Sequence, residues 1–178
     1  MKAETQTGRV TIRRGHGSDA GLLAELGART FSETFAADNT PENMRAYLAA
    51  SFNLEQLSAE LAEPSSVFLI AGIEGVAVGY AKLHGGEALV GVEGDKPIEL
   101  VRLYVSQEWL GRGVGEALMR AGIDEARTAG YQTLWLGVWE HNHRARAFYR
   151  KGEFKEVGQH VFQLGEDRQT DILMKRDV

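Results

Sequence analysis

The chain contains no cysteine. That absence removes disulfide bridges, thiolate metal sites and cysteine nucleophiles, and it fits a reducing compartment, so a cytoplasmic protein is expected. No apolar run reaches the length needed to span a bilayer, and no membrane partner is expected. Met1-Lys2-Ala3-Glu4-Thr5 has no apolar stretch behind it, which argues against a secretory signal. Positive charge is not in excess. The formal net charge of −5 argues against nucleic acid and is compatible with cationic small molecules. Internal repeats and low-complexity stretches are missing too. What remains is 178 residues with 43% apolar and 25% charged side chains, a composition that suits one globular domain with a sizeable core. Residues 1–8 read as a flexible N-terminal leader and 9–178 as the single domain.

The stretch that organises the chain is Val105-Ser106-Gln107-Glu108-Trp109-Leu110-Gly111-Arg112-Gly113-Val114-Gly115. Before it, Ile98 to Val105 alternates like a half-buried strand; after it, Val114, Leu118 and Ala121 recur at helical spacing. Three glycines at every second position therefore lie where a strand becomes a helix. Without Cβ atoms a ligand can approach the backbone there, and the first-turn amides of a helix have no partners of their own, so the junction suits a phosphate. The bland alternative is a glycine-rich turn. Neither standard nucleotide signature is present: the residue three past Gly113 is Glu116, not glycine, and no Gly-Lys-Ser/Thr follows.

The remaining elements follow from local signals. Arg9–Arg13 predicts a strand, and Ser18 or Asp19 caps a helix through Phe31, which leaves Ser32 to Asn39 as a connector at a pocket edge. Thr40-Pro41-Glu42 starts a second helix with Met44, Tyr47, Leu48 and Phe52 inward. Asn53 caps a third with Leu54, Leu57, Ser58 and Leu61 inward, ended by Pro64. Val67–Ala71 and Val76–Leu83 predict a hairpin with Gly72 to Gly75 between its strands. Gly85 to Pro97 reads as a loop carrying a ragged strand at Ala88 to Val92. The hinge helix ends near Gly130, Thr133–Val138 is a buried strand, and Asn142 caps a short helix to about Lys151 that Gly152 ends. Phe154–Val161 and Asp171–Lys175 form a closing pair around the polar stretch Gly165 to Gln169. This order predicts an α/β protein, a mixed sheet with helices on both faces and a ligand at the carboxyl end of the central strand.

Two motifs carry a resemblance. Leu110-Gly111-Arg112-Gly113-Val114-Gly115 resembles motif A of the GCN5-related N-acetyltransferases (GNAT), with Leu110 where that signature has glutamine or arginine. Asn142 to Lys151, followed by Gly152 and Phe154, resembles the family's late Asn-x-x-Ala-x-x-Phe-Tyr region. Phe31, Phe35, Asn39 to Met44, Glu99 to Trp109 and Trp135 to Glu140 are similar to the PaiA group of polyamine and amine N-acetyltransferases.

The resemblance implies the GNAT fold, a mostly antiparallel sheet whose splayed central strands hold acetyl-CoA. The backbone of Leu103 and Val105 would pair with the pantetheine arm, with Tyr104 beside them. Leu110, Gly111 and the amides of Arg112, Gly113, Val114, Gly115 and Glu116 would face the pyrophosphate. Asn142 and Arg146 complete the implied cofactor set, Asn142 serving also as a helix cap. Tyr149 is the implied general acid, its alternative role being core packing. Glu99 is the candidate base, directly or through water, and strict alternation puts it on one strand face with Val101 and Leu103, leaving Arg102 and Tyr104 on the other. The alternative for Glu99 is a strand-end carboxylate paired with an arginine. Phe31, Glu33, Phe35, Trp139 and Glu140 are candidates for an acceptor pocket, since carboxylates beside aromatic rings suit an alkylammonium group. No metal is expected: His141 and His143 lack a third ligand at convincing spacing, and His84 and His160 read as surface or strand histidines.

The reaction implied is acetyl transfer from acetyl-CoA to a primary amine of a small molecule, with spermidine and spermine as examples, by a homodimeric enzyme. A protein N-terminal or lysine acetyltransferase and a non-catalytic CoA-binding sensor are the alternatives.

Overall fold

In the computed structural model, which describes residues 9–178, seven strands form one sheet. They are β1 (Thr11–Arg14), β2 (Ser66–Ile73), β3 (Val76–Gly85), β4 (Pro97–Val105), β5 (Thr133–Trp139), β6 (Lys155–Leu164) and β7 (Asp167–Asp177). Their order is β1-β2-β3-β4-β5-β7-β6, and every neighbouring pair is antiparallel except β4 with β5. Among the described residues the five α-helices are α1 (Ala20–Phe35), α2 (Pro41–Ser51), α3 (Leu54–Ala62), α4 (Val114–Thr128) and α5 (His143–Lys151). The predicted leader at 1–8 lies outside the described residues.

Helices cover both faces. On one face Val114, Leu118, Met119 and Ala126 of α4 bury against Leu69, Leu83, Leu100, Leu134 and Leu136 of the sheet. On the other, Leu23, Leu26 and Phe31 of α1 and Leu57 of α3 pack on Phe68, Ile70 and Tyr80. Fully burying one such large apolar side chain stabilises the fold by about 1.5–3 kcal/mol, so both layers hold the sheet firmly. The helix starts are those read from the capping residues. Thr40 Oγ1 accepts from the Asn43 amide at 3.2 Å, Asn53 Oδ1 from Gln56 at 2.8 Å and Asn142 Oδ1 from Ala145 at 3.1 Å.

Several boundaries differ from expectation. Helix α1 continues to Phe35, so Ser32 to Phe35 are its last turn rather than a connector. Thr30 and Thr34 direct their hydroxyls to carbonyls four residues back, at 2.7 and 2.9 Å, and so do not interrupt it. The β2–β3 turn is only Glu74-Gly75, both with positive φ, the backbone of a tight two-residue hairpin, so both strands run longer than predicted. The β6–β7 turn shrinks likewise to Gly165-Glu166, because polar side chains on an exposed hairpin are compatible with strand. No strand forms over Ala88 to Val92; Val92 is buried instead against Trp135 and Leu173. On α3, Leu54 is 62% exposed and Ser58 faces solvent, whereas Glu60 is buried.

One irregularity repositions the central strand. Lys82 of β3 faces Arg102, but Leu83 faces Leu100, so Val101 has no partner on β3. A single bulged residue inverts the alternation on either side of it. Ile98 and Leu100 point to the α4 layer, and so, beyond the bulge, do Leu103 and Val105. Glu99 therefore lies with Arg102 and Tyr104 on the α1 side. The expectation that it shares a face with Leu103 is wrong, because strict alternation does not survive the bulge.

Candidate active site

Strands β4 and β5 pair only over Pro97–Thr133, Ile98–Leu134 and Glu99–Trp135, and then part. The gap opens a cavity of about 850 Å³ that reaches both faces of the sheet. Leu103, Tyr104 and Val105 line it from β4, and Asn142, Ala145, Phe148 and Tyr149 from α5 and its cap. With the parallel ladder ended, β4 can accept an extended ligand as an added strand.

At one end the glycine hinge turns into α4. Gly113, the N-cap residue, has φ +82° and no side-chain cap, and Gly111 has φ +73°; nothing lies within 4 Å of where their Cβ atoms would be. The first helical bond runs from the Ala117 amide to the Gly113 carbonyl, at 3.0 Å, so the amides of Val114, Gly115 and Glu116 precede it. Leu110, Gly111, Gly115 and Glu116 line the cavity. An open left-handed turn feeding an uncapped helix start accommodates a pyrophosphate. Arg112 is exposed and holds its guanidinium 5.1 Å over the Trp109 ring.

Tyr149 is 8% exposed, packed between Phe148 and Phe154, and lines the cavity. This placement serves the core-packing alternative and also turns the residue to the cavity. Burial pushes its hydroxyl well above the usual phenol range, so it holds its proton.

The other end lies on the α1 side. Phe31 stacks on Tyr47 at 4.5 Å, Phe35 meets Trp139 edge-on at 6.1 Å, and Phe162 meets Tyr47 at 5.8 Å. Glu33 lines the cavity while accepting the Gln107 amide at 2.9 Å. Glu99 is in the wall with its carboxyl raised, first by burial and further by the charge of Asp171, with Lys82 opposing. It pairs with no arginine: Arg102 is held by Glu60 through bonds of 2.7 and 3.1 Å, and Lys82 by Glu60 at 2.9 Å.

Not every expected residue reaches the cavity. Arg146 donates to the Glu140 carbonyl at 2.8 Å and pairs with Glu156 at 3.0 Å. The Glu140 side chain instead lies 3.7 Å from the His141 ring. Neither lines the cavity, nor do the side chains of Arg112 and Val114. His141 and His143 are exposed, and no acidic or thiol partner joins them in a metal cluster among the described residues.

Several wall residues were not read from sequence as site residues, Asp171, His160 and Arg144 among them. Asp171 of β7 and His160 of β6, the latter expected at the surface or in a strand, face each other across that pair and both line the cavity. Burial raises the Asp171 carboxyl to about 6, with His160 opposing. Arg144 lines the opening from α5. The alternation of β7 places Asp171 on the face of Leu173, but only the pairing with β5 sets that face against the gap.

The family model of the acetyltransferase (GNAT) family matches residues 28–154. An uncharacterized N-acetyltransferase from Lactobacillus delbrueckii subsp. lactis is 36% identical, over 85% of this chain and 87% of its own length. One from Mycobacterium tuberculosis is 33% identical over 90% of this chain and 99% of its own. The crystal structure of a PaiA N-acetyltransferase from Thermoplasma acidophilum in complex with coenzyme A overlays with a TM-score of 0.77 at 20% identity, covering 96% of this chain and 99% of that one. That likeness is one of fold.

Proposed function

The chain belongs to the GNAT acetyltransferase family and is an acetyl-CoA-dependent enzyme acting on an amine, and we propose that its acceptor is the primary amine of a small molecule, with polyamines as the leading class. The observation that carries this reading is the single cavity with an amide cradle at one end and carboxylates among aromatic rings at the other. Acetyl-CoA supplies a thioester whose acetyl carbon forms the new C–N bond as its C–S bond breaks.

The chain's own groups have separable tasks. The amides of Gly113 to Glu116 hold the pyrophosphate, and the backbone of Leu103 and Val105 holds the pantetheine arm. Leu110 adds no polar group, so the cradle rests on backbone. Asn142 spends its Oδ1 on the α5 cap, which leaves its amide NH₂ to donate to the arm. Glu99 accepts the proton of the incoming ammonium, directly or through a water, and its raised carboxyl is a better match to that task than an ordinary glutamate. Tyr149 keeps its proton at Oη until the leaving sulfur takes it. Phe31, Phe35 and Trp139 enclose the alkyl part of the acceptor. The face lying under α1 and α2 favours a small molecule over a peptide, the residues shared with the PaiA group support a polyamine, and we take the enzyme to work in the cytoplasm as a homodimer.

The test is thiol release from acetyl-CoA across polyamines, monoamines, amino acids and peptide N-termini. Turnover confined to peptides would overturn the small-amine reading, and no turnover on any acceptor would favour a CoA sensor. In the same assay Tyr149→Phe is expected to bind acetyl-CoA as the parent does and to lose about 10²-fold in kcat; transfer at the parent rate removes the general-acid role.

A further inference from the structure

Asp171 is a carboxylate in the cavity wall with no hydrogen-bonded or ion-paired side chain among the described residues. Glu99 shares that condition, whereas the nearby cations Arg102 and Lys82 are both committed to Glu60. The acceptor end therefore presents two acidic groups without a hydrogen-bonded or ion-paired side chain, Asp171 facing only His160 across the β6–β7 pair. A half-buried carboxylate without a partner is costly, and folds keep such groups where a ligand completes them.

The local backbone makes room for this carboxylate. Trp135, Gly137 and Trp139 alternate on the same face of β5, and Gly137 forms a notch between two indoles. A Cβ at Gly137 would lie 3.1 Å from Asp171 Oδ2, so the carboxylate would have to give by a few tenths of an ångström. Trp135 supplies a second, independent observation. It lines the cavity, is 3% exposed, and its buried indole N–H has no acceptor. A ligand lone pair or a water held with the ligand would satisfy it. Around Asp171 stand the rings of Trp139 and Phe162, with Phe35 and Tyr47 beyond. Aromatic faces together with a carboxylate favour an ammonium group over any neutral one.

We propose that Asp171 anchors a second, non-reacting ammonium of the acceptor, so that the enzyme selects amines carrying two positive charges. This rests on the small-amine reading above and assigns its specificity to one residue. Glu99 handles the amine that reacts; Asp171 fixes the far end, and the aromatic walls hold the alkyl chain between them.

Paired acceptors of equal length, 1,4-diaminobutane and n-butylamine, test it with the full chain. The parent is expected to prefer the diamine in kcat/KM by about tenfold or more, the value of one charge-assisted hydrogen bond. In Asp171→Asn that preference should collapse, chiefly through KM for the diamine, and Asp171→Glu should restore part of it. Titrating 1,4-diaminobutane against tryptophan fluorescence gives a readout without turnover, since Trp135 and Trp139 border the site. Binding by the parent and loss in Asp171→Asn supports the anchor even if no amine is acetylated, in which case the transfer reading fails and the anchor stands. Equal diamine preference or equal diamine binding in parent and Asp171→Asn overturns the proposal, as does a parent that does not bind the diamine. Coincident melting of parent and Asp171→Glu would confirm that a carboxylate at 171 is accommodated in the fold.

Discussion

Glu99 faces Trp135 at the last rung on which β4 and β5 run together. Its carboxylate therefore stands where the ladder ends and the cavity begins, on a strand held by β3 on its other side. Glu99→Gln is expected to lower kcat/KM by about 10²-fold at neutral pH, in the range of lost general-base catalysis. Because burial raises the Glu99 carboxyl, activity in the parent should rise with pH along a limb placed above the ordinary glutamate range. Loss of that limb in Glu99→Gln is the outcome to look for; an unaltered pH–rate profile would show that another group takes the proton.

The cradle gives a separate handle. Gly113 sits at φ +82°, where an L side chain costs about 1–2 kcal/mol. Gly113→Ala should lower the melting temperature and weaken coenzyme A binding, measured by calorimetry. Gly115→Ala is the contrast. Its Cβ would lie an ordinary 3.4 Å from the Phe148 ring, so stability should change little. Parent affinity for coenzyme A in Gly113→Ala would contradict the backbone cradle.

Glu60 lies on the α1 side of the sheet, between Lys82 and Arg102. Glu60→Ala leaves two buried cations facing one another and should cost about 3–5 kcal/mol in urea unfolding. Burial works against ionisation of Glu60, but the hydrogen bond and charge of Arg102 prevail and hold its carboxyl below the ordinary value. The sign follows: its contribution is complete above the unfolded glutamate pKa and is lost as pH falls through the lower folded one.

Asp171 has the opposite sign. Its folded carboxyl sits at about 6, above the unfolded value, so the folded state binds the proton more tightly. Stability associated with the neutral form is full below about pH 4 and is lost as pH rises through about 6. Asp171→Asn should therefore melt higher than the parent at pH 8 and no higher at pH 4. A ligand-free protein that is stabilised by removing a charge from its binding wall shows a site strained in favour of its occupant. Equal melting at pH 8 would show that solvent relieves the carboxylate.

The elements readable from sequence are those fixed by neighbouring residues. Thr40, Asn53 and Asn142 each cap the helix that follows because a cap needs only the next three residues. The glycine hinge is legible for the same reason. Glu60 was not, since a glutamate three past Leu57 looks like a solvent residue until Lys82 and Arg102 arrive from other strands. Asp171 looked like one more polar strand position; its surroundings come from Gly137, Trp139 and His160, which only the sheet order brings together. The β6–β7 strands read short because polar side chains imitate a loop, and β2 because Gly72 imitates the start of a turn.

The unpaired Val101 acts as a parity switch. Seen from α4, the residues before it are even and those after it odd, so one strand carries two phases joined at a single residue. The phases are independent in a useful way. The half from Arg102 onward can keep its fixed relation to the hinge while the half bearing Glu99 is tuned against the opposite layer. Flattening the bulge, so that Val101 joins the regular ladder, would bring both halves into one phase and turn Glu99 toward the hydrocarbon beneath α4, exchanging it with Leu100. A proton acceptor would become a buried defect with no residue type changed in the strand.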